Sequence, residues 1–190
     1  MTTVTAPNLN TLPADLPVPK DDGAADHLVG LSLPAVSLPA TTGPAINPAT
    51  LRGIAVIYCY PMTGRPNVPL PEGWDAIPGA RGCTPQSCAF RDHYSELQQL
   101  GAKVFGVSTQ STDYQREAAE RLHLPFALLS DVDLNFANAL RLPAFQVDGM
   151  QLIKRLTLIA RDASIVKVFY PVFPSDRNAG DVVQWLKSHA

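Results

Sequence analysis

Apolar positions along this chain fall into short unbroken runs separated by amphipathic stretches. Gly53-Ile54-Ala55-Val56-Ile57-Tyr58-Cys59-Tyr60 is a continuous β-branched and aromatic run closed by Pro61. That is the pattern of a strand buried on both faces, and it predicts the central strand of a sheet. Lys103–Ser108 and Phe126–Ser130 predict two more. Between them, a helix is expected from Thr84 to Leu100, with Thr84 as N-cap, Pro85 in the first helical position, Gly101 as the stop, and Tyr94, Leu97 and Leu100 on its apolar side. A second helix, opened by Ser111 or Thr112, runs to Leu122, and a short third covers Asp133–Leu142. Leu152–Ala160 and Ile165–Val172 read as a hairpin turning at Arg161-Asp162-Ala163-Ser164, followed by a last helix from Asn178 to His189.

The flanks change the picture in two places. Residues 1–25 are rich in Pro, Thr and Asp without an apolar period, which predicts an extended or partly disordered arm without chemistry of its own, ahead of one domain over 26–190. The Pro-bounded runs Leu31-Ser32-Leu33-Pro34 and Ala35-Val36-Ser37-Leu38-Pro39 suit an edge hairpin, with a turn at Gly43-Pro44. Residues 61–82 hold five Pro and four Gly around Trp74. They predict a stiff, ordered loop, inserted at about 62–81, of the length that usually carries function. The element order gives an α/β domain with a central mixed sheet and helices on both faces, a pattern similar to the thioredoxin-like fold.

Charge narrows the partners. Fifteen Lys and Arg against seventeen Asp and Glu leave a net charge of -2 with no block of one sign, so neither nucleic acid nor an anionic membrane is an expected partner. No apolar run approaches the ~20 residues of a membrane helix, and the first twenty residues lack the plan of a secretory signal. A cytoplasmic protein is expected.

The cysteines carry the candidate chemistry. Cys83 and Cys88 lie at the start of the helix predicted after Gly82, where free N–H groups and the positive end of the dipole stabilise a thiolate. On an intact helix, positions five apart have Cα atoms roughly 8.7 Å apart, whereas a disulfide needs about 7 Å or less. A bond between this pair therefore requires the first turns to unwind. Cys88 reads equally well as a small buried apolar residue, and Cys59, inside the central strand, as an inert core thiol. Structural zinc takes closer pairs and a second pair of ligands, while His27, His93, His123 and His189 are scattered. No metal or organic cofactor is expected.

Across residues 28–189 the chain resembles the peroxiredoxins, in the bacterioferritin comigratory protein or peroxiredoxin Q group. The resemblance rests on Gly82-Cys83-Thr84-Pro85-Gln86-Ser87-Cys88-Ala89-Phe90-Arg91-Asp92, followed in the family's order by Phe105-Gly106-Val107-Ser108-Thr109, Leu128-Leu129-Ser130-Asp131, Arg155-Leu156-Thr157-Leu158-Ile159 and Val182-Val183-Gln184-Trp185-Leu186-Lys187. It implies that Cys83 is the peroxidatic thiolate, attacking hydrogen peroxide or an organic hydroperoxide and becoming a sulfenic acid. It implies that Cys88 resolves this acid as an intramolecular disulfide. Arg155 matches the family's arginine, whose fixed charge favours the thiolate and orients the peroxide oxygens. Thioredoxin or a glutaredoxin-like dithiol is the implied reductant. An internal cysteine pair needs no second chain, so a monomer is expected rather than a homodimer.

The departure lies just ahead of Cys83. The family places Pro, three residues, Thr, two residues, then Cys. Here Pro61 precedes Cys83 by 22 positions rather than seven, an excess of fifteen, and Ala80 stands where the threonine belongs. Thr63, two residues after Pro61, is the candidate stand-in, with a turn-capping role as the alternative. Arg81 either adds charge at the thiol or faces solvent. Trp74 and its loop either wall the peroxide pocket, select among peroxides or form a subunit contact. Two other functions use the same cysteines: a protein thiol-disulfide oxidoreductase, which usually carries Cys-x-x-Cys, a spacing absent here, and a non-enzymatic redox sensor.

Overall fold

The computed structural model describes residues 8–189. Its core is a five-stranded sheet in the order β3-β2-β1-β6-β7. Strand β1 (Ile54–Cys59), the β-branched run, is central. It pairs parallel to β2 (Ala102–Ser108) and antiparallel to β6 (Leu156–Arg161), with Cys59 opposite Val107 on one side and Leu156 on the other. Strand β3 (Leu128–Ser130) extends the parallel side and β7 (Ser164–Phe169) the antiparallel side. The sheet is mixed and thioredoxin-like, as the element order predicts.

Strand alternation sends successive side chains to two layers. Val56 and Tyr58 of β1 face a layer built on α1 (Cys83–Asp92), α2 (Tyr94–Gln99) and α5 (Asn178–Ser188), contributing Phe90, Leu97, Val182 and Leu186. Tyr58 stacks on Phe90 with ring centroids 4.5 Å apart. Ala55, Ile57 and Cys59 face the other layer, with Phe136 and Leu140 of α4 (Asn135–Leu140) and Leu28, Leu33 and Leu38 of the N-terminal segment. Helix α3 (Thr112–Arg121) lies against β3, its N-terminus capped by the Ser111 hydroxyl, which accepts from Tyr114 N–H at 3.3 Å.

Four sequence expectations need correction. The stretch Leu31–Pro39 forms no hairpin of its own: single bridges tie Ser32 to Ser164, Leu38 to Ile46 and Ala40 to Leu129, because Pro34 and Pro39 cannot donate to a ladder. The helix expected over Thr84–Leu100 starts one residue earlier, at Cys83, with Gly82 rather than Thr84 at the N-cap. It is also two helices, since His93 (φ -91°, ψ 2°) ends α1 and opens α2. Finally, Leu152–Ala160 is not one strand. A second sheet, β4 (Ala144–Val147) with β5 (Met150–Ile153), turns at Asp148-Gly149, both at positive φ. The chain then bends at Lys154-Arg155 before entering β6.

Candidate active site

Cys83 opens α1 at the foot of the inserted loop. Gly82, at its N-cap, has φ 107°, and a Cβ there would stand 2.2 Å from Ser175 Oγ and 2.7 Å from Leu12 Cδ2. Only glycine both adopts this backbone and leaves that space. The Ser175 hydroxyl donates to Gly82 O at 2.8 Å and pins the turn.

The Cys83 thiol is 3% exposed. It donates to Ala80 O at 3.7 Å and receives Arg155 Nη2 at 3.1 Å. Arg155, equally buried, comes from the bend between β5 and β6, which aims it across the sheet end at the loop. Its Nη2 also donates to Ala80 O (3.0 Å) and Arg81 O (3.2 Å), and its Nε to Gly79 O (3.3 Å). One planar donor set thus holds three consecutive carbonyls of the loop and the sulfur beyond them. Nη1 donates to Gln86 Oε1. Gln86 Nε2 donates to Asn178 Oδ1 at 2.9 Å, which also accepts the Thr157 hydroxyl at 2.6 Å. Gln86, Asn178 and Thr157 are all buried, so the guanidinium is held from behind by a chain of bonds shielded from water.

The structure brings Cys83 and Arg155 together but not the other two predicted residues. Cys88 lies further along the same unbroken helix and is partly exposed. Burial pushes its thiol up from the ordinary value, partly opposed by Arg91. Thr63 is buried, yet its hydroxyl donates to Gln110 Oε1 at 3.2 Å, beside a bond from its own N–H to the same oxygen at 2.9 Å. No hydrogen bond joins it to Cys83 among the described residues. Arg81 does not face solvent: it is 8% exposed, ion-paired with Asp75 at 3.2 Å and donating to Asn8 O at 2.7 Å. Cys59 is fully buried, and burial pushes its thiol well up, which leaves it unreactive.

Sequence reasoning missed Gln86, Asn178, Thr157 and Ser175. Gln86 was findable, being three residues after Cys83 on the same helix face; the others had no local signal. An arm was expected ahead of the domain, but not that its Leu9 and Leu12 reach the Cys83 end of the site. Leu9 lies with Met62, Leu70 and Trp74 around a cavity of about 10 Å³ above Cys83. Trp74, 3% exposed, is backed by Phe145 with ring centroids 6.2 Å apart. No cluster of potential metal ligands occurs among the described residues, and no helix there is long and apolar enough to cross a membrane.

Comparisons with known proteins agree in direction. The redoxin family model matches residues 28–183. Peroxiredoxin Bcp of Escherichia coli K12 is 32% identical over 162 residues, which cover 83% of this chain and 94% of that protein. Chloroplastic peroxiredoxin Q of Oryza sativa subsp. japonica is 26% identical, covering 84% of this chain and 66% of the relative. Among solved structures, peroxidoxin BcpB of Mycobacterium tuberculosis superposes with a TM-score of 0.69 at 24% identity, over 85% of this chain and 97% of that one.

Proposed function

The chain belongs to the redoxin family, in its peroxiredoxin Bcp and Q group, and from that premise we propose a thiol peroxidase in which Cys83 attacks, Cys88 resolves and Arg155 sustains the thiolate. The observation that carries this reading is the Arg155 Nη2 contact with Cys83 Sγ at 3.1 Å in a buried site at a helix N-terminus. A fixed cation there favours the anionic sulfur, and its neighbouring donors favour the negative charge that develops on the peroxide oxygens.

The Cys83 thiolate attacks one peroxide oxygen and the O–O bond breaks. The departing oxygen takes a proton and leaves as water or an alcohol, with Cys83 left as a sulfenic acid. The Cys88 thiolate then attacks the Cys83 sulfur, the S–O bond breaks, and the hydroxyl leaves as water on taking up a proton. The product is an intramolecular disulfide, which a dithiol such as thioredoxin reduces by exchange. Because α1 is continuous from Cys83 to Asp92, resolution requires its first turns to unwind. The bonds that must break include Gln86 to Asn178 and Tyr58 to Ser87 (3.1 Å). A monomer working in the cytoplasm needs nothing further from a second chain.

The test is peroxide consumption by purified protein with thioredoxin, thioredoxin reductase and NADPH. Wild type is expected to turn over, Cys83→Ser to lose all peroxide reactivity, and Cys88→Ser to oxidise without forming the internal disulfide. Stoichiometric oxidation of wild type without turnover would instead favour a redox sensor.

A further inference from the structure

The space above Cys83 is set by two segments that the catalytic chemistry does not itself require: the N-terminal arm and the inserted loop. We propose that Leu9 of the arm and Leu70 of the loop are specificity-determining residues, roofing the thiol so closely that the site takes hydrogen peroxide in preference to hydroperoxides with a branched or aromatic tail. The inference rests on the reading of Cys83 as the attacking thiol.

The cavity at Cys83 is about 10 Å³, close to the least that holds one water molecule. Its apolar roof is Leu9, Met62, Leu70 and Trp74. The two leucines close over Gly64 so tightly that a methyl group placed there would stand 2.8 Å from Leu9 Cδ2 and 3.1 Å from Leu70 Cδ2. Behind Leu9, Leu12 packs onto Gly82. The arm is fixed at both ends of its crossing. Asn8 O accepts from Arg81, and the Asp22 carboxylate accepts from Lys154 at 2.9 Å and from the Tyr170 hydroxyl at 2.8 Å.

A second cavity, of about 380 Å³, is roomy and apolar enough for an organic tail, with Val18, Ile77, Phe145 and Val172 in its walls. Cys83 does not line it. Gly79 and Arg155 do line it, and the bonds from that guanidinium to the carbonyls of Gly79, Ala80 and Arg81 hold this wall in place beside the sulfur. With that wall stapled, the apolar roof is the side that can yield, and a bulky hydroperoxide has to displace Leu9 or Leu70, whereas a two-oxygen substrate needs a far smaller adjustment.

The experiment uses the full chain. Second-order rate constants for oxidation by cumene hydroperoxide and by hydrogen peroxide are compared in wild type, Leu9→Ala and Leu9→Met. The cumene-to-hydrogen-peroxide ratio is expected to rise at least fivefold in Leu9→Ala and to stay below that in Leu9→Met, which keeps the bulk. A smaller rise in Leu9→Ala, or equal changes for both peroxides, overturns the proposal. Thermal melting checks folding; should Leu9→Ala not fold, Asp22→Ala, which releases the exposed anchor of the arm, carries the same fivefold criterion. Labelling of Cys83 in the Cys88→Ser background by methyl and benzyl methanethiosulfonate reads the roof without peroxide. Loss of all peroxide turnover with an intact size preference in labelling would sink the peroxidase reading and spare the roof.

Discussion

Replacing Arg155 by lysine keeps the positive charge and removes the geometry. The guanidinium serves five acceptors: Gly79 O, Ala80 O, Arg81 O, Gln86 Oε1 and Cys83 Sγ. An ammonium carries three protons on one nitrogen, so at least two buried acceptors lose their partner. At about 1–3 kcal/mol for each buried group left unpaired, the variant is destabilised by roughly 2–6 kcal/mol. For a domain of this size that lowers the melting temperature on the order of 10 °C. Peroxide reactivity falls further than the retained charge suggests, because the donor must meet both the sulfur and the developing oxyanion. Loss of one such preorganised donor costs about 10²–10³ in rate. Stopped-flow fluorescence of Trp74, which walls the cavity above Cys83, reads the hydrogen peroxide rate, and calorimetry reads the melting. A lysine variant within tenfold of the wild-type rate would show that Arg155 only staples the loop. One that melts like wild type would refute the staple.

Three other outcomes follow from individual contacts. Burial raises the Cys88 thiol, and in the proposed resolution its thiolate is the form that attacks; the rate of disulfide formation is therefore expected to climb with pH past the ordinary thiol value of about 8.5. A plateau at the ordinary value, in rapid-quench mass spectrometry across pH, would mean that α1 is already unwound in the sulfenic acid state. Gly82→Ala forces a Cβ to within 2.2 Å of Ser175 Oγ at φ 107°, a clash and strain that together cost roughly 2–5 kcal/mol in urea unfolding; a loss under 1 kcal/mol would contradict the packing at the α1 N-cap. Thr63→Val removes a hydroxyl bonded to Gln110, so stability is expected to drop by about 1 kcal/mol with the peroxide rate within threefold of wild type. A hundredfold slower rate would place that hydroxyl at the thiolate after all.

The periodic elements were legible because burial on both faces leaves its mark in consecutive residues: β1, β2 and β3, and the helices α3 and α5, follow their apolar patterns. The break between β5 and β6 was not, although Asp148-Gly149 between Ala144–Val147 and Met150–Ile153 is a hairpin signal in plain view. Leu152 and Ile153 merged by pattern with Leu156–Ala160, since neither Lys154 nor Arg155 punctuates the run. That merger hid the bend which aims Arg155. Cys83 was legible locally, from a glycine and a helix start. Arg155, 72 residues away, reaches the sulfur through strand order alone, and only family resemblance could nominate it. That the expected arm reaches the site was not legible for a related reason: its leucines, spaced without period, have no local partner to reveal what they cover.

In the proposed mechanism, the missing threonine changes how the thiol is activated. Where the resemblance places a hydroxyl that can donate to the sulfur, this chain has Ala80, whose carbonyl can only accept. In the thiol form Cys83 donates to that carbonyl at 3.7 Å. Once the proton is gone the sulfur cannot donate, and it faces an oxygen of like partial charge. Arg155 answers both needs with one nitrogen, holding Ala80 O at 3.0 Å and Cys83 Sγ at 3.1 Å. One charged donor thus joins the loop carbonyl and the sulfur in a single bonded set. A second donor from the loop would need a side chain at position 80, which is fully buried against Trp74 and Leu152. The inserted loop has thus filled the threonine's place with its own core. The arginine remains the one side-chain donor to the sulfur among the described residues, and the bonds from Gln86, Asn178 and Thr157 are what hold it to that task.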